Sequence, residues 1–153
     1  MPNSFQTAYY QLLRECFEGR PEGQEYTWFV EGTEGMFDGL DAVSAERASV
    51  KPSGDCASVA GHAYHVRYAL ANANRYLGGP GLEGDWESSW AKQSVSVAEW
   101  AELKASIRHE YEFLLNALQS HEDWGSQDQV TGAMAQLPHM AYHLGAIRQL
   151  IKL

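Results

Sequence analysis

Cysteine is scarce in this chain of 153 residues: Cys16 and Cys56 are the only two, and they form no C-x-x-C pair. A disulfide framework is therefore excluded, and both side chains are expected as buried free thiols in a reducing compartment. Positive charge is scarce too. Lys+Arg is 11 against Asp+Glu 20, for a net charge of −9 and a pI near 5.0. Phosphate binding needs concentrated positive charge, and no Lys/Arg cluster occurs, so nucleic acid and anionic membrane surfaces are excluded as partners. No apolar run approaches the roughly 18–20 residues of a membrane-spanning helix. The opening MPNSFQTAYYQLL lacks the basic and apolar regions of a signal peptide, and the expected location is cytoplasmic. At 44% hydrophobic and 20% charged, the composition is that of one soluble globular domain spanning residues 1–153.

What the chain does have is six histidines, and their meaning depends on the elements that carry them. Four long helical stretches are predicted from apolar spacing. The first covers Ser4 to Glu18, with Phe5, Tyr9, Leu12, Leu13, Cys16 and Phe17 on one face. Gly19 and Pro21 stop it. A short helix is expected around Thr33 to Val43. The second long helix runs from Ala57 to Leu77, with Val59, His62, Val66, Leu70, Ala73 and Leu77 in file and Gly78 and Gly79 as its stop. Ser96 and Glu99 open the third with a capping box, ahead of a stripe through Val97, Trp100, Lys104, Ile107, Tyr111, Leu114 and Leu118, apolar apart from Lys104. Asp128 is the expected cap of the fourth, whose stripe is Ala133, Leu137, Met140, Leu144, Ile147 and Ile151, with Pro138 inside it. No stretch has the two-residue period of a strand, so the fold class is all-α, a four-helix bundle.

His139 and His143 share a helix face one turn apart, so both can reach one metal ion. His62 lies in the apolar stripe of the second helix and must point inward, where its nitrogens need partners. His65, about 60° off that stripe, is the rival ligand or a supporting donor. His109 and His121 are expected to be solvated. The depths of His62 and His143 within their helices differ by about 5 Å if the second and fourth helices are antiparallel, and by roughly 15 Å if they are parallel. An antiparallel pair requires a crossover between the second and third helices. Residues 79–95, too long for an ordinary bundle turn, can supply it, so the expected order is up-down-down-up. Other chemistries lack their residues: there is no H-E-x-x-H, no Glu-x-x-His, no Walker-type glycine loop and no G-x-S-x-G elbow.

The stretch SVAGHAYHVRYALANANRYL, with MAYHLGAIRQ and GLDAVSAERASVKPSGD, resembles the DinB-like (DinB/YfiT) superfamily of metalloenzymes. The likeness extends from about Trp28 to the end of the chain and is most specific in the last helix. It implies an up-down-down-up bundle holding a metal on three histidines, one from the second helix and an H-x-x-x-H pair from the fourth. Carried over, these are His62, His139 and His143. The resemblance also implies metal-dependent thiol transfer or isomerisation with a low-molecular-weight thiol.

Two functions follow as expectations. One is a metal-dependent enzyme, hydrolase or thiol transferase, in which zinc or nickel on His62, His139 and His143 activates a water or a thiol against a small-molecule substrate. Tyr64 and Tyr142 are its candidate neighbours, and Trp86 and Trp90 line either the cleft mouth or a dimer surface. The alternative is a non-catalytic bundle that binds a structural ion or forms a homodimer.

Overall fold

The computed structural model describes residues 4–120 and 126–153, and among these every regular element is helical. In order they are α1 (Ser4–Glu18), α2 (Met36–Asp41), α3 (Ala45–Ala48), α4 (Val59–Arg75), a single 3-10 turn (Ser88–Trp90), α5 (Val97–Ser120) and α6 (Gln127–Lys152). No helix among the described residues is long and apolar enough to cross a membrane.

The inward stripes bury as their spacing requires. Leu13, Cys16 and Phe17 of α1, Val59, Val66 and Leu70 of α4, Trp100, Ile107 and Leu114 of α5, and Met140, Leu144 and Ile147 of α6 form one core. Two stripe ends are exposed, Phe5 and Val97. The capping box of α5 forms as expected: Glu99 N–H donates to Ser96 Oγ at 3.2 Å, and Ser96 N–H donates to Glu99 Oε2 at 2.7 Å. The cap of α6 is a correction. Ser126, not Asp128, precedes the helix, because Ser126 and Gln129 make the reciprocal pair that satisfies two otherwise orphan N–H groups. Helix α6 runs through Pro138 without interruption. The short helix expected around Thr33 to Val43 is the shorter α2, with α3 following it beyond Val43, and Trp100 ties that region down by donating its indole N–H to the Val43 carbonyl at 2.8 Å.

Cys16 is buried, as expected, and burial pushes its thiol up to about 12. Cys56 is exposed, a second correction. It lies ahead of the α4 cap Ser58, in a loop outside any buried stripe.

Facing residues give the relative run of the helices. Between α4 and α6, His62 meets His143 while His65 meets His139, so sequence numbers rise along one helix as they fall along the other. Between α4 and α5 both rise together: Ser58 bonds Gln93 just ahead of α5, and Asn74 bonds Glu110 within it. Helix α4 ends in a Schellman motif, with Gly78 at φ 91, Gly79 N–H on the Asn74 carbonyl and Gly78 N–H on the Arg75 carbonyl. The chain then returns along α4 to its start. There Ser58 N–H donates to Gln93 Oε1 at 2.8 Å, and Ser58 Oγ donates to the Gln93 carbonyl at 2.6 Å. Gly61 makes room for this, since a Cβ at 61 would lie 2.5 Å from the Gln93 side chain.

The segment between α1 and α2 is held by one carboxylate. Glu15 is fully buried on α1 and accepts backbone N–H groups from Trp28, Phe29 and Val30 at 2.8–2.9 Å. Gly19 and Gly35 close the same loop; a Cβ at Gly35 would lie 2.4 Å from the Gly19 nitrogen. Hydrogen bonds to a charged group contribute about 1.5–3 kcal/mol each, and a buried N–H without a partner costs about 1–3 kcal/mol. Glu15→Ala is therefore expected to lower the unfolding free energy by about 3 kcal/mol or more in urea denaturation, and Glu15→Gln by less, since one amide oxygen still accepts.

Candidate metal centre

Four histidines meet where the first half of α4 faces the second half of α6. His62 and His65 come from α4, and His139 and His143 from α6. His65 and His143 are fully enclosed at 0% and 1% exposed, and His62 is buried at 7%; His139 is half-buried. Three contacts chain the rings together. His65 Nε2 lies 3.2 Å from His139 Nε2, His139 Nε2 lies 3.0 Å from His143 Nε2, and His143 Nδ1 lies 2.9 Å from His62 Nδ1.

One ring nitrogen from each of His65, His139 and His143 falls within 4.8 Å of the other two, close enough for the three to hold a single metal ion. From helical spacing, His62 is expected ahead of His65 as the α4 ligand. In the structure both reach the cluster, with His65 in the compact triad and His62 on the far nitrogen of His143. His109 is exposed, as expected. His121 lies outside the described residues.

The returning segment between α4 and α5 builds the wall behind the rings. Trp90 stacks on His65, with ring centres 4.0 Å apart and planes 17° apart, and Trp86 meets the same ring edge-on at 4.4 Å. Trp86 also stacks on His139 at 5.2 Å. Ser89, between the two tryptophans, places its Oγ 2.7 Å from His65 Nδ1. The sequence offers Trp86 and Trp90 as aromatic residues in a long loop; it offers no signal for Ser89, because the contact exists only once the 3-10 turn forms. Tyr142 sets its ring 5.1 Å from His143 but is mostly exposed, and Tyr64 lies under the Arg67 guanidinium instead.

Next to the cluster opens a cleft of about 710 Å³ whose lining includes His62, Trp90, Tyr142, Cys56, Lys51 and Gln149. The exposed Cys56 and the buried His62 therefore share one cleft.

The electrostatics favour neutral rings. Among the described residues no carboxylate hydrogen-bonds any of the four. Burial holds His62 and His139 below the ordinary imidazole range. Burial first, then repulsion from neighbouring rings, pushes His65 down to about 4 and His143 down to about 2. Neutral imidazole is the form that ligates metal.

No protein-family model, curated protein or solved structure matches this chain. The case for its chemistry thus stands on the geometry of the cluster.

The depressed values have a sign that can be measured in metal-free protein. In the unfolded chain each histidine takes up a proton near pH 6.5, whereas folded His65 and His143 stay neutral to about 4 and about 2. Below pH 6.5 the unfolded state binds more protons, so stability is full at pH 7 and falls with pH, by up to about 1.4 kcal/mol per pH unit for each such ring. Urea denaturation of chelator-treated protein at pH 7, 6 and 5 should show this slope, and His143→Gln should flatten it. An equal slope in the variant would show that His143 protonates freely in the folded state.

Proposed function

We propose that this chain is a metal-dependent enzyme of the DinB-like kind, holding one divalent ion, zinc or nickel, on His65, His139 and His143. The observation that carries this reading is the convergence of three Nε2 atoms on one point, with His139 Nε2 3.0 Å from His143 Nε2 and 3.2 Å from His65 Nε2. Such a donor set fits an intermediate divalent ion, for which imidazole is a preferred ligand. An ion held by these three neutral imidazoles would supply Lewis-acid chemistry, favouring the deprotonated form of a water or a low-molecular-weight thiol. The reaction class is hydrolysis or thiol transfer on a small molecule.

The chain's own residues do the rest. His143 ligates through Nε2 when its Nδ1 carries the proton, and His62 Nδ1, 2.9 Å away, is placed to accept it. His62 thereby orients His143 rather than competing for the ion. Trp86 and Trp90 cover the faces of His139 and His65 and keep water from that side. The 710 Å³ cleft alongside receives the substrate, with the edge of Trp90 against His62 and the Tyr142 hydroxyl available as a hydrogen-bond donor.

The same reading takes α1, α4, α5 and α6 as an up-down-down-up four-helix bundle. Supporting it are the opposed numbering of α4 against α6, the shared direction of α4 and α5, and the contacts of α1 with α6. In the last of these, the Tyr9 hydroxyl donates to the Ala133 carbonyl near the start of both helices.

Elemental analysis of purified protein tests the site. His139→Ala and His65→Ala are expected to abolish stoichiometric metal. His62→Ala should retain it with about 10–100-fold weaker affinity, the usual cost of losing a group that holds a ligand. Undiminished metal in His139→Ala would reject the centre, and equal loss in His62→Ala and His65→Ala would make His62 a ligand. A screen of hydrolase and thiol-transfer substrates with metal-loaded protein, with His139→Ala as control, then tests the reaction. Inactivity throughout favours the non-catalytic alternative.

A further inference from the structure

Ser89 is 5% exposed and belongs to the 3-10 turn that packs against α4. Its Oγ lies 2.6 Å from the Trp86 carbonyl oxygen and 2.7 Å from His65 Nδ1. A hydroxyl has one proton to donate, and a carbonyl oxygen only accepts. The Ser89 proton therefore goes to Trp86, and Ser89 faces His65 with a lone pair. The nitrogen opposite must be an N–H. A neutral imidazole with its proton on Nδ1 carries its ring lone pair on Nε2, and Nε2 is the atom 3.2 Å from His139 Nε2.

We propose that Ser89 is a positioning residue of the histidine cluster: it fixes His65 in the Nδ1–H tautomer and so keeps the Nε2 lone pair turned toward the point where His65, His139 and His143 converge. The role in metal binding rests on the three-histidine reading, whereas the tautomer belongs to the metal-free protein and is measured without it. Three features hold the arrangement. Trp90 stacked on the His65 ring and Trp86 against its edge fix the plane of the imidazole. The Trp86 carbonyl leaves the Ser89 hydroxyl no second choice of acceptor. Asp85 and Ser88 brace the turn itself: Ser88 N–H donates to Asp85 Oδ1 at 2.7 Å, and Asp85 N–H donates to Ser88 Oγ at 3.0 Å.

A packing serine and a positioning serine make different predictions. Removing a hydroxyl that merely packs leaves the tautomer alone. Removing one that accepts from Nδ1–H strands a buried donor, and the proton is then free to move to Nε2, which lies 3.2 Å from His139 Nε2.

The test is long-range proton–nitrogen correlation NMR on chelator-treated protein labelled with 15N-histidine at pH 8, where the rings are neutral. His65 is assigned by comparison with His65→Gln. In the unaltered protein His65 Nδ1 is expected as the protonated nitrogen and Nε2 as the bare one, and Ser89→Ala should move the proton toward Nε2. Chelator competition with zinc should show about a 10–100-fold loss of affinity in Ser89→Ala. Its urea midpoint without metal is expected to stay near that of the unaltered protein, and Ser89→Thr, which keeps the hydroxyl, should restore tautomer and affinity together. A protonated Nε2 in the unaltered protein overturns the proposal outright, whatever the variants do. Unchanged zinc affinity in Ser89→Ala overturns it as well. If the Nδ1–H tautomer is found but the unaltered protein takes up no zinc, the metal reading fails and takes the positioning role with it, a failure distinct from that of the tautomer.

Discussion

The antiparallel meeting of α4 and α6 is the constraint on which the rest of the structure depends. Only with the numbers of one helix rising as those of the other fall can residues 62 and 65 face 143 and 139 in that order. A parallel pair would place His62 beside the first part of α6 and separate the rings by several turns. The long return from Gly79 to Gln93 follows from this requirement, since α5 must begin where α4 begins. A segment obliged to travel the length of a helix has the opportunity to cover one of its faces, and this one covers the face that carries His65.

That covering decides the electrostatics. Imidazoles packed against one another under two indoles lose the water that would stabilise their charged forms, and each ring makes protonation of the next more costly. The cluster is polar in composition yet uncharged in the fold, so a protein of net charge −9 encloses it with no carboxylate among the described residues hydrogen-bonded to any of its rings. Exposed Asp41, on α2, instead takes both Lys104 and Arg108.

Much of this was legible in the sequence, because helices announce themselves by period. The extent of α1, the capping box of α5, the glycine stop of α4 and the proximity of His139, His143 and an α4 histidine all follow from spacing alone. The order of His62 and His65 did not. A helical wheel places side chains relative to the helix's own apolar stripe, and by that measure His65 lies off-axis. What recruits it is Trp90 stacking from a segment with no period at all. The same blindness explains Ser89, a single polar residue in a loop, and Cys56, whose exposure depends on where the Ser58 cap begins the helix. Ser126 was missed for a simpler reason: Asp128 and Ser126 are both good caps, and the partner glutamine three residues on selects the serine.

Rigidity is the remaining link between fold and chemistry. A ligating constellation loses its value if its rings wander by an ångström, and three of the four rings here are buried side chains on long helices. The loop that completes the wall is anchored at both ends. At one end the Schellman motif locks Gly78 and Gly79 onto α4. At the other, Gln93 is held by Ser58 on one side and donates its amide N–H to the Trp90 carbonyl at 2.6 Å on the other. Gln93 thus joins the cap of α4 to the tryptophan stacked on His65. Gly61 is part of that junction, because any larger side chain there would displace Gln93 and loosen Trp90 with it. The stack of Trp90 on His65 is therefore supported by hydrogen bonds that Gln93 makes away from the imidazole rings.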